Sequence, residues 1–366
     1  MHFVRMQLNQ GLVPLLHKQM NDSIKVCNAM LSKGMGGIEQ AFLDYSQMLR
    51  LRGMSVVSIV RSGSKVAKGA ESPCYEVHNF CKFDPFTILN LKRILKKESP
   101  HLIITHGTRA ASLFQKAAGE IPVISLCHNH SYRALLKSNF IIAVSEHLRD
   151  EVICGGYDAN NIVTIPNMVT VEPHLQFTAP QLRPVPVIGA IGRFVKKKGF
   201  DLFIRALSIL KARKIKFSAV LGGDGEECDE LKRLADTLNL SNELRFIGWV
   251  ADKQSFYDGI DIFCLPSIDE PFGIVILEAF KHSKAVIATR SGGPSHIIQS
   301  DYNGILCAAG NASELADRIQ SLIASPQLVY DIAQHGFQTV MERYSQDIVS
   351  QRLQEVVANQ VHTNCK

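Results

Sequence analysis

Residues 266–280 read PSIDEPFGIVILEAF, and the organisation of the chain follows from this stretch. The apolar run Asp261 to Leu265 leads into it and has the length of a buried strand. Pro266 and Ser267 open a turn. The run from Ile274 to Phe280 then rests only as a helix buried on most sides. Two carboxylates, Glu270 and Glu278, bracket that run at a spacing of eight. Glu278 stands among Ile274, Val275, Ile276, Leu277, Ala279 and Phe280, where an unpaired charge costs roughly several kcal/mol in lost solvation. It therefore needs donors. Ligand hydroxyls are one supply, and an arginine elsewhere in the chain is a purely structural other. The open helix start at Phe272, Gly273 and Ile274 is a ready anion site beside it.

At 366 residues the chain suits two domains rather than one core. A hydrophobic content of 46% with 20% charged residues describes a soluble globular protein. No apolar run reaches the ~18–20 residues of a membrane span. Residues 1–22 lack the apolar core of a signal peptide and read as an N-terminal extension. The nine cysteines form no C-x-x-C pair and read as small apolar residues in a reducing compartment. Residues 1–170 carry 19 Lys and Arg against 12 Asp and Glu, whereas residues 171–366 carry 21 against 22. The basic character belongs to the first half, which suits an acidic partner: anionic lipid, a phosphorylated acceptor or nucleic acid.

Both halves alternate strand with helix, which implies parallel, doubly wound sheets. In the first half, strands are expected at 24–30, 55–60, 102–105, 123–127, 141–144 and 162–165. The second half places them at 187–191, 219–221, 244–247, 262–265, 286–289 and 305–307. The expected organisation is one Rossmann-like domain over 23–172, a proline-rich linker over 173–186 and a second such domain over 187–344. A helical tail over about 345–366 is expected to cross back to the first domain.

Ligands of open parallel sheets sit beyond the carboxyl ends of the strands. Arg193 and Lys198, in the segment GRFVKKKGF, follow a strand directly and suit a diphosphate: a guanidinium fork and a mobile ammonium. Lys196 and Lys197 read as solvated. The turn Gly34–Gly37 is G-x-G-G, and the second strand ends on Arg61 rather than an acid. A phosphorylated dinucleotide and a sugar or phosphate lying on the backbone both stay open. His106, His128 and His130 each follow a strand. The pair at 128 and 130 could ligate a metal, but no Asp, Glu or Cys at ligand spacing accompanies it, which favours hydrogen bonding to substrate. The helix expected over Pro85 to Lys97 sets Phe86, Leu89 and Ile94 against Lys92, Arg93, Lys96 and Lys97. That face is either simply solvated or docks on anionic headgroups.

PSIDEPFGIVILE resembles the E-x7-E signature of the retaining nucleotide-sugar glycosyltransferases of family four, which have the GT-B fold. Further pieces of the likeness are G-R-x-x-x-x-K-G at Gly192–Gly199, G-G-D-G at Gly222–Gly225, F-I-G-W at Phe246–Trp249 and S-G-G at Ser291–Gly293. In the first half, GMGGIEQ, His128, AVSE and I-P-N at Ile165–Asn167 fit as well. The resemblance implies two Rossmann-like domains facing across a cleft, and transfer of a sugar from a nucleoside diphosphate to a glycan or lipid-linked acceptor with retention. By the same resemblance, Arg193 and Lys198 hold the diphosphate, Glu278 the ribose and Glu270 the donor sugar. Phe272, Gly273 and Ile274 support sugar and phosphate through their amides. Gly36 and Gly37 lie against the diphosphate, Val250 near the base, and His128 beside the transferred sugar. Met168 departs from the pattern, where glycine is usual.

No D-x-D pair ends a strand, so neither a metal nor another cofactor is expected, and nucleic acid is not an expected partner. A basic first domain suits a cytoplasmic enzyme, peripheral on the cytoplasmic face of the membrane, that builds an envelope glycan such as a lipopolysaccharide core. Rival readings are a GT-B epimerase or phosphorylase, an NAD(P)-dependent oxidoreductase and a non-catalytic sugar-binding module. The first turn and Arg61 speak against the oxidoreductase.

Overall fold

Among the described residues, thirteen parallel strands, most of them buried over all or nearly all of their length, divide into two sheets. The computed structural model describes residues 24–34 and 36–364, so the expected extension 1–22, Met35 and Cys365 lie outside the described residues. In chain order the strands of the first sheet are β1 (Lys25–Met30), β2 (Ser55–Arg61), β3 (Cys74–Val77), β4 (Leu102–His106), β5 (Val123–Cys127), β6 (Phe140–Ala143) and β7 (Ile162–Thr164). Those of the second are β8 (Val187–Ile191), β9 (Ser218–Gly222), β10 (Leu244–Gly248), β11 (Ile262–Leu265), β12 (Ala285–Thr289) and β13 (Ile305–Cys307). Their spatial orders are β3-β2-β1-β4-β5-β6-β7 and β10-β9-β8-β11-β12-β13. β4, β5, β11 and β12 are buried at every position, the pattern of a parallel sheet between helices.

The chain forms two compact units. One runs to Val144 and includes Leu148–Ile165 and the stretch from Val349 onward; the other holds Ser145–His147 and Pro166–Ile348. In the first unit, Cys27, Ala29, Ile59 and Ile103 pack on the helices Pro85–Glu98 and Gly107–Ala117 through Leu91, Leu113 and Phe114. Each such aliphatic or aromatic side chain contributes ~1.5–3 kcal/mol on burial. The helix Gln346–Asn364 buries Val349, Leu353, Val357 and Val361, one face at a spacing of four. Its Ser350 accepts a hydrogen bond from Arg52 Nε at 2.9 Å. In the second unit, Phe203, Ile204 and Leu207 of the helix Phe200–Ala212 meet Ile188, Ala190 and Leu221 of the sheet.

The structure adds to the sequence reading at three places. β3 escaped the reading because Cys-Tyr-Glu-Val is an edge strand with one buried side chain, Val77. The helix Pro85–Glu98 does not bury Phe86 or Leu89, which are 81% and 54% exposed; its core face is Thr87, Leu91, Ile94 and Leu95. Asp84 caps that helix, accepting from the amides of Phe86 and Thr87, and so sets which residues turn inward. Segment 173–186, read as a linker, contains no strand or helix but is pinned to the second unit. Phe177 lies edge-on to Tyr330, and Arg183 donates to Asp261 at 2.8 Å.

Candidate functional site

In each sheet the order reverses direction once, between β1 and β4 and between β8 and β11. Loops leaving neighbouring strands part at such a point and leave a crevice beyond their carboxyl ends. The second unit fills the rim of its crevice with loops joined backbone to backbone. The amides of Ile268 and Asp269 donate to Lys197 O at 2.8 and 3.2 Å, which ties the loop after β11 to the loop after β8. Phe194 N donates to Asp224 O at 2.9 Å, which ties in the turn after β9. Gly293 N reaches Glu270 O at 2.8 Å and adds the loop after β12. These approaches demand glycine at two places. A Cβ on Gly199, at φ +63°, would lie 2.2 Å from Pro266 O, and one on Gly223 would lie 1.9 Å from Gly192 O.

The joined loops bring Lys198 onto Glu270, two residues 72 apart in sequence. Glu270 is 7% exposed and also accepts from Ser267 Oγ at 3.3 Å. Arg193 is exposed on the same loop as Lys198. Glu278 belongs to the helix Ile274–Lys281 and is half-buried rather than enclosed. Its carboxylate pairs with Lys253 and accepts from Tyr257 Oη at 3.2 Å. The donors it needs thus come from the chain, and neither was anticipated. Lys253 and Tyr257 lie on the helix Lys253–Asp258, whose only sequence signal is the Asp252 cap three residues before Ser255. Burial and the neighbouring Glu278 charge raise the Tyr257 phenol well above its usual range, so it stays protonated and can donate to Glu278.

Gly273, at φ +95°, caps the helix Ile274–Lys281 without a side-chain acceptor. Among the described residues nothing accepts from the amides of Phe272, Gly273 or Ile274. Val250 is half-buried and rests close to Gly222, while Trp249 is 67% exposed.

The first unit has a different arrangement at its switch point. His106, the last residue of β4, is 1% exposed and lies between the ring edges of Phe42 and Tyr45, at 5.6 and 5.2 Å. Its Nε2 meets Asn28 Oδ1 at 3.0 Å, and its Nδ1 meets His128 Nε2 at 3.2 Å. Asn28 Nδ2 donates to Phe42 O and Ser46 Oγ, which fixes the amide and leaves Oδ1 as acceptor. His106 must then donate from Nε2 and, when neutral, accept at Nδ1. His128 is the donor in that contact, so its Nδ1 keeps a lone pair. Burial, with the His128 charge adding to it, depresses His106 well below the usual imidazole range; burial brings His128 to about 4. Both rings are neutral near pH 7.

His128 lines a cavity of about 350 Å³ together with Arg61, Arg109 and Thr108. His130 is separate from this pair: its Nδ1 lies 2.6 Å from Glu151, an acid that the reading by sequence spacing had not connected to it. Gly36 precedes the helix Gly37–Leu51 in extended conformation, and a Cβ on Gly37 would meet open space. All eight described cysteines are free, and Cys27, Cys127, Cys264 and Cys307 are buried.

Two parallel α/β units of orders 3-2-1-4-5-6-7 and 3-2-1-4-5-6, with glycine-rich rims, are the architecture of the GT-B fold. Residues 35–173 match the family described as Glycosyltransferase Family 4, and residues 179–339 match that described as Glycosyl transferases group 1. The lipopolysaccharide core biosynthesis glycosyltransferase LpsE of Rhizobium meliloti (strain 1021) is 27% identical over 88% of this chain and 96% of its own. LpsD of the same strain is 27% identical over 86% of this chain and 93% of its own. The crystal structure of Anabaena Alr3699/HepE in complex with UDP-glucose superposes with a TM-score of 0.80 at 22% identity, covering 92% of this chain and all of the other. The chain belongs to family four of the glycosyltransferases, enzymes that transfer sugar to an acceptor. No helix among the described residues is long and apolar enough to cross a membrane.

Proposed function

We propose that the second unit holds a nucleoside-diphosphate sugar and that the first presents a cell-envelope acceptor to it. The observation that carries this is the Lys198–Glu270 pair, fixed at the switch point beside the open amides of Phe272, Gly273 and Ile274. Lys198, Arg193 and those amides take the diphosphate charge, the work a metal does elsewhere. Glu270 accepts from hydroxyls of the transferred sugar, Glu278 from those of the ribose, and Val250 borders the base. Gly36 and Gly37 leave room for phosphate, and His128 offers its Nδ1 lone pair to a hydroxyl of the reacting sugar. The acceptor hydroxyl forms the new C1–O bond on the face from which the diphosphate departs. Its proton passes to the departing phosphate oxygen, and configuration is retained.

The names of LpsE and LpsD support a lipopolysaccharide core as the product, and the HepE complex supports a UDP-sugar as donor. The place of action is the cytoplasmic face of the membrane. Phe80, Phe83, Phe86 and Leu89 are exposed within ten residues, beside Lys92, Arg93, Lys96 and Lys97. Lys97 lies 5.3 Å from the Tyr75 ring, leaving the other three as the free basic face.

The test is thermal shift of the full chain with uridine, guanosine and adenosine diphosphates and their sugars, with and without EDTA. One nucleotide should stabilise it by about 2.7 kcal/mol at a hundredfold excess over Kd. Equal loss in Arg193→Ala and Lys198→Ala, and indifference to EDTA, are expected. Binding by none of the nucleotides, or only with a divalent cation, refutes the reading.

A further inference from the structure

The first unit gathers three cations at its cavity against a single lining carboxylate. Lys33, Arg61 and Arg109 line the same space as His128, and the one lining carboxylate is Glu39, to which Ser32 already donates. Among the described residues, none of the three cations has an ion-pair partner. Their positions are electrostatically costly. Arg109 stands in the first turn of the helix Gly107–Ala117, the end where the helix dipole disfavours a cation. At the end of β2, desolvation, and after it the opposing charge of Arg109, lower the pKa of Arg61. A helix start also borders the cavity, at Gly107, and it has no side-chain cap. Cations held together against repulsion, beside uncapped amides, are the chemistry of an oxyanion site.

We infer that this cavity binds an acidic group on the acceptor, a phosphate ester or a carboxylate, through Arg61, Arg109 and Lys33. A guanidinium fork matches either oxyanion in bidentate fashion, whereas a neutral sugar offers nothing to neutralise the three charges. The volume, about 350 Å³, falls in the range of small-ligand sites and holds a charged sugar residue rather than a long chain. The inference rests on the first unit being the acceptor side, and it adds what the acceptor must carry.

The experiment is calorimetric titration of the full chain at low salt with three probes: D-glucose 6-phosphate, D-glucuronate and D-glucose. At least one charged probe binds at least about tenfold tighter than glucose, and which one does so separates phosphate from carboxylate. R61Q/R109Q loses that advantage, and K33Q, an exposed position suited to a conservative change, loses about threefold. Titration of the same variants with the nucleoside diphosphate found by thermal shift reports on the second unit and on folding. Equal binding of all three probes, binding of none, or an undiminished advantage in both variants overturns the inference. Absence of nucleotide binding in the wild-type chain would instead overturn the donor reading.

Discussion

Removing the two partners of the Lys198–Glu270 pair should have unequal costs. Lys198→Met leaves a carboxylate whose side chain is only 9% exposed, with Ser267 Oγ at 3.3 Å as its remaining partner. Breaking a buried pair costs ~3–5 kcal/mol, and because the Lys198 side chain is 22% exposed, water can enter and the lower end, about 3 kcal/mol, applies. Glu270→Gln leaves an ammonium on a flexible stem that swings into solvent, so about 1 kcal/mol is expected. In K198M/E270Q no charge is stranded, and stability should return to within about 1 kcal/mol of the parent. At ~2–4 °C per kcal/mol for a unit of this size, the single Lys variant melts about 6–12 °C lower. Scanning calorimetry and urea unfolding of the full chain read this directly, and donor cleavage is assayed in parallel. Cleavage should be lost by ~3–4 kcal/mol of barrier in the Lys198 variants, including the one whose stability recovers. Additive destabilisation in the double variant would refute the stranded-charge argument. Recovered cleavage in that same variant would refute the catalytic role.

The neutral histidine pair makes stability depend on pH in one direction. Both folded-state pKa values lie below that of an unfolded imidazole, so the unfolded chain binds more protons as pH falls. Stability should be full above about pH 6.5 and decline towards pH 4, and His106→Asn should flatten that decline in urea midpoints. An unchanged slope would place the pH sensitivity elsewhere. Vesicle sedimentation tests the exposed segment near Phe86. F83S/F86S should lose binding to phosphatidylglycerol vesicles, and K92Q/K96Q should weaken it about thirtyfold at low salt, at ~1 kcal/mol per basic residue. Retention of full binding in both variants would remove the membrane from the proposal.

Strands were legible in the sequence where burial makes them uniformly apolar. Val123–Cys127, Val187–Ile191, Ile262–Leu265 and Ile305–Cys307 have the bounds that periodicity gives them. The edge strand Cys74–Val77 had no such pattern to offer, since a strand with one buried residue looks like loop. The helix after Asp84 was legible as a helix, but its inward face was not. The bulky apolar Phe86 and Leu89 face outward, and Thr87 and Leu91 turn inward. Arg193, Lys198, Glu270 and Glu278 announce themselves by charge beside glycine or inside apolar runs. The pairings among them do not: Lys198 finds Glu270, and Lys253 finds Glu278, through loop closure across many residues. The relay from Asn28 through His106 to His128 joins two strands and the loop after a third, and has no local signature at all.

The stitching of main chain to main chain around β8, β9, β11 and β12 constrains how this enzyme can be altered. A point substitution changes what a rim residue offers to its ligand while the rim keeps its shape. Insertion or deletion of a single residue after any one of those strands would misalign contacts in the others. Engineering of this rim is therefore confined to side-chain exchange at constant loop length, and a library that varies length there should return mostly misfolded chains.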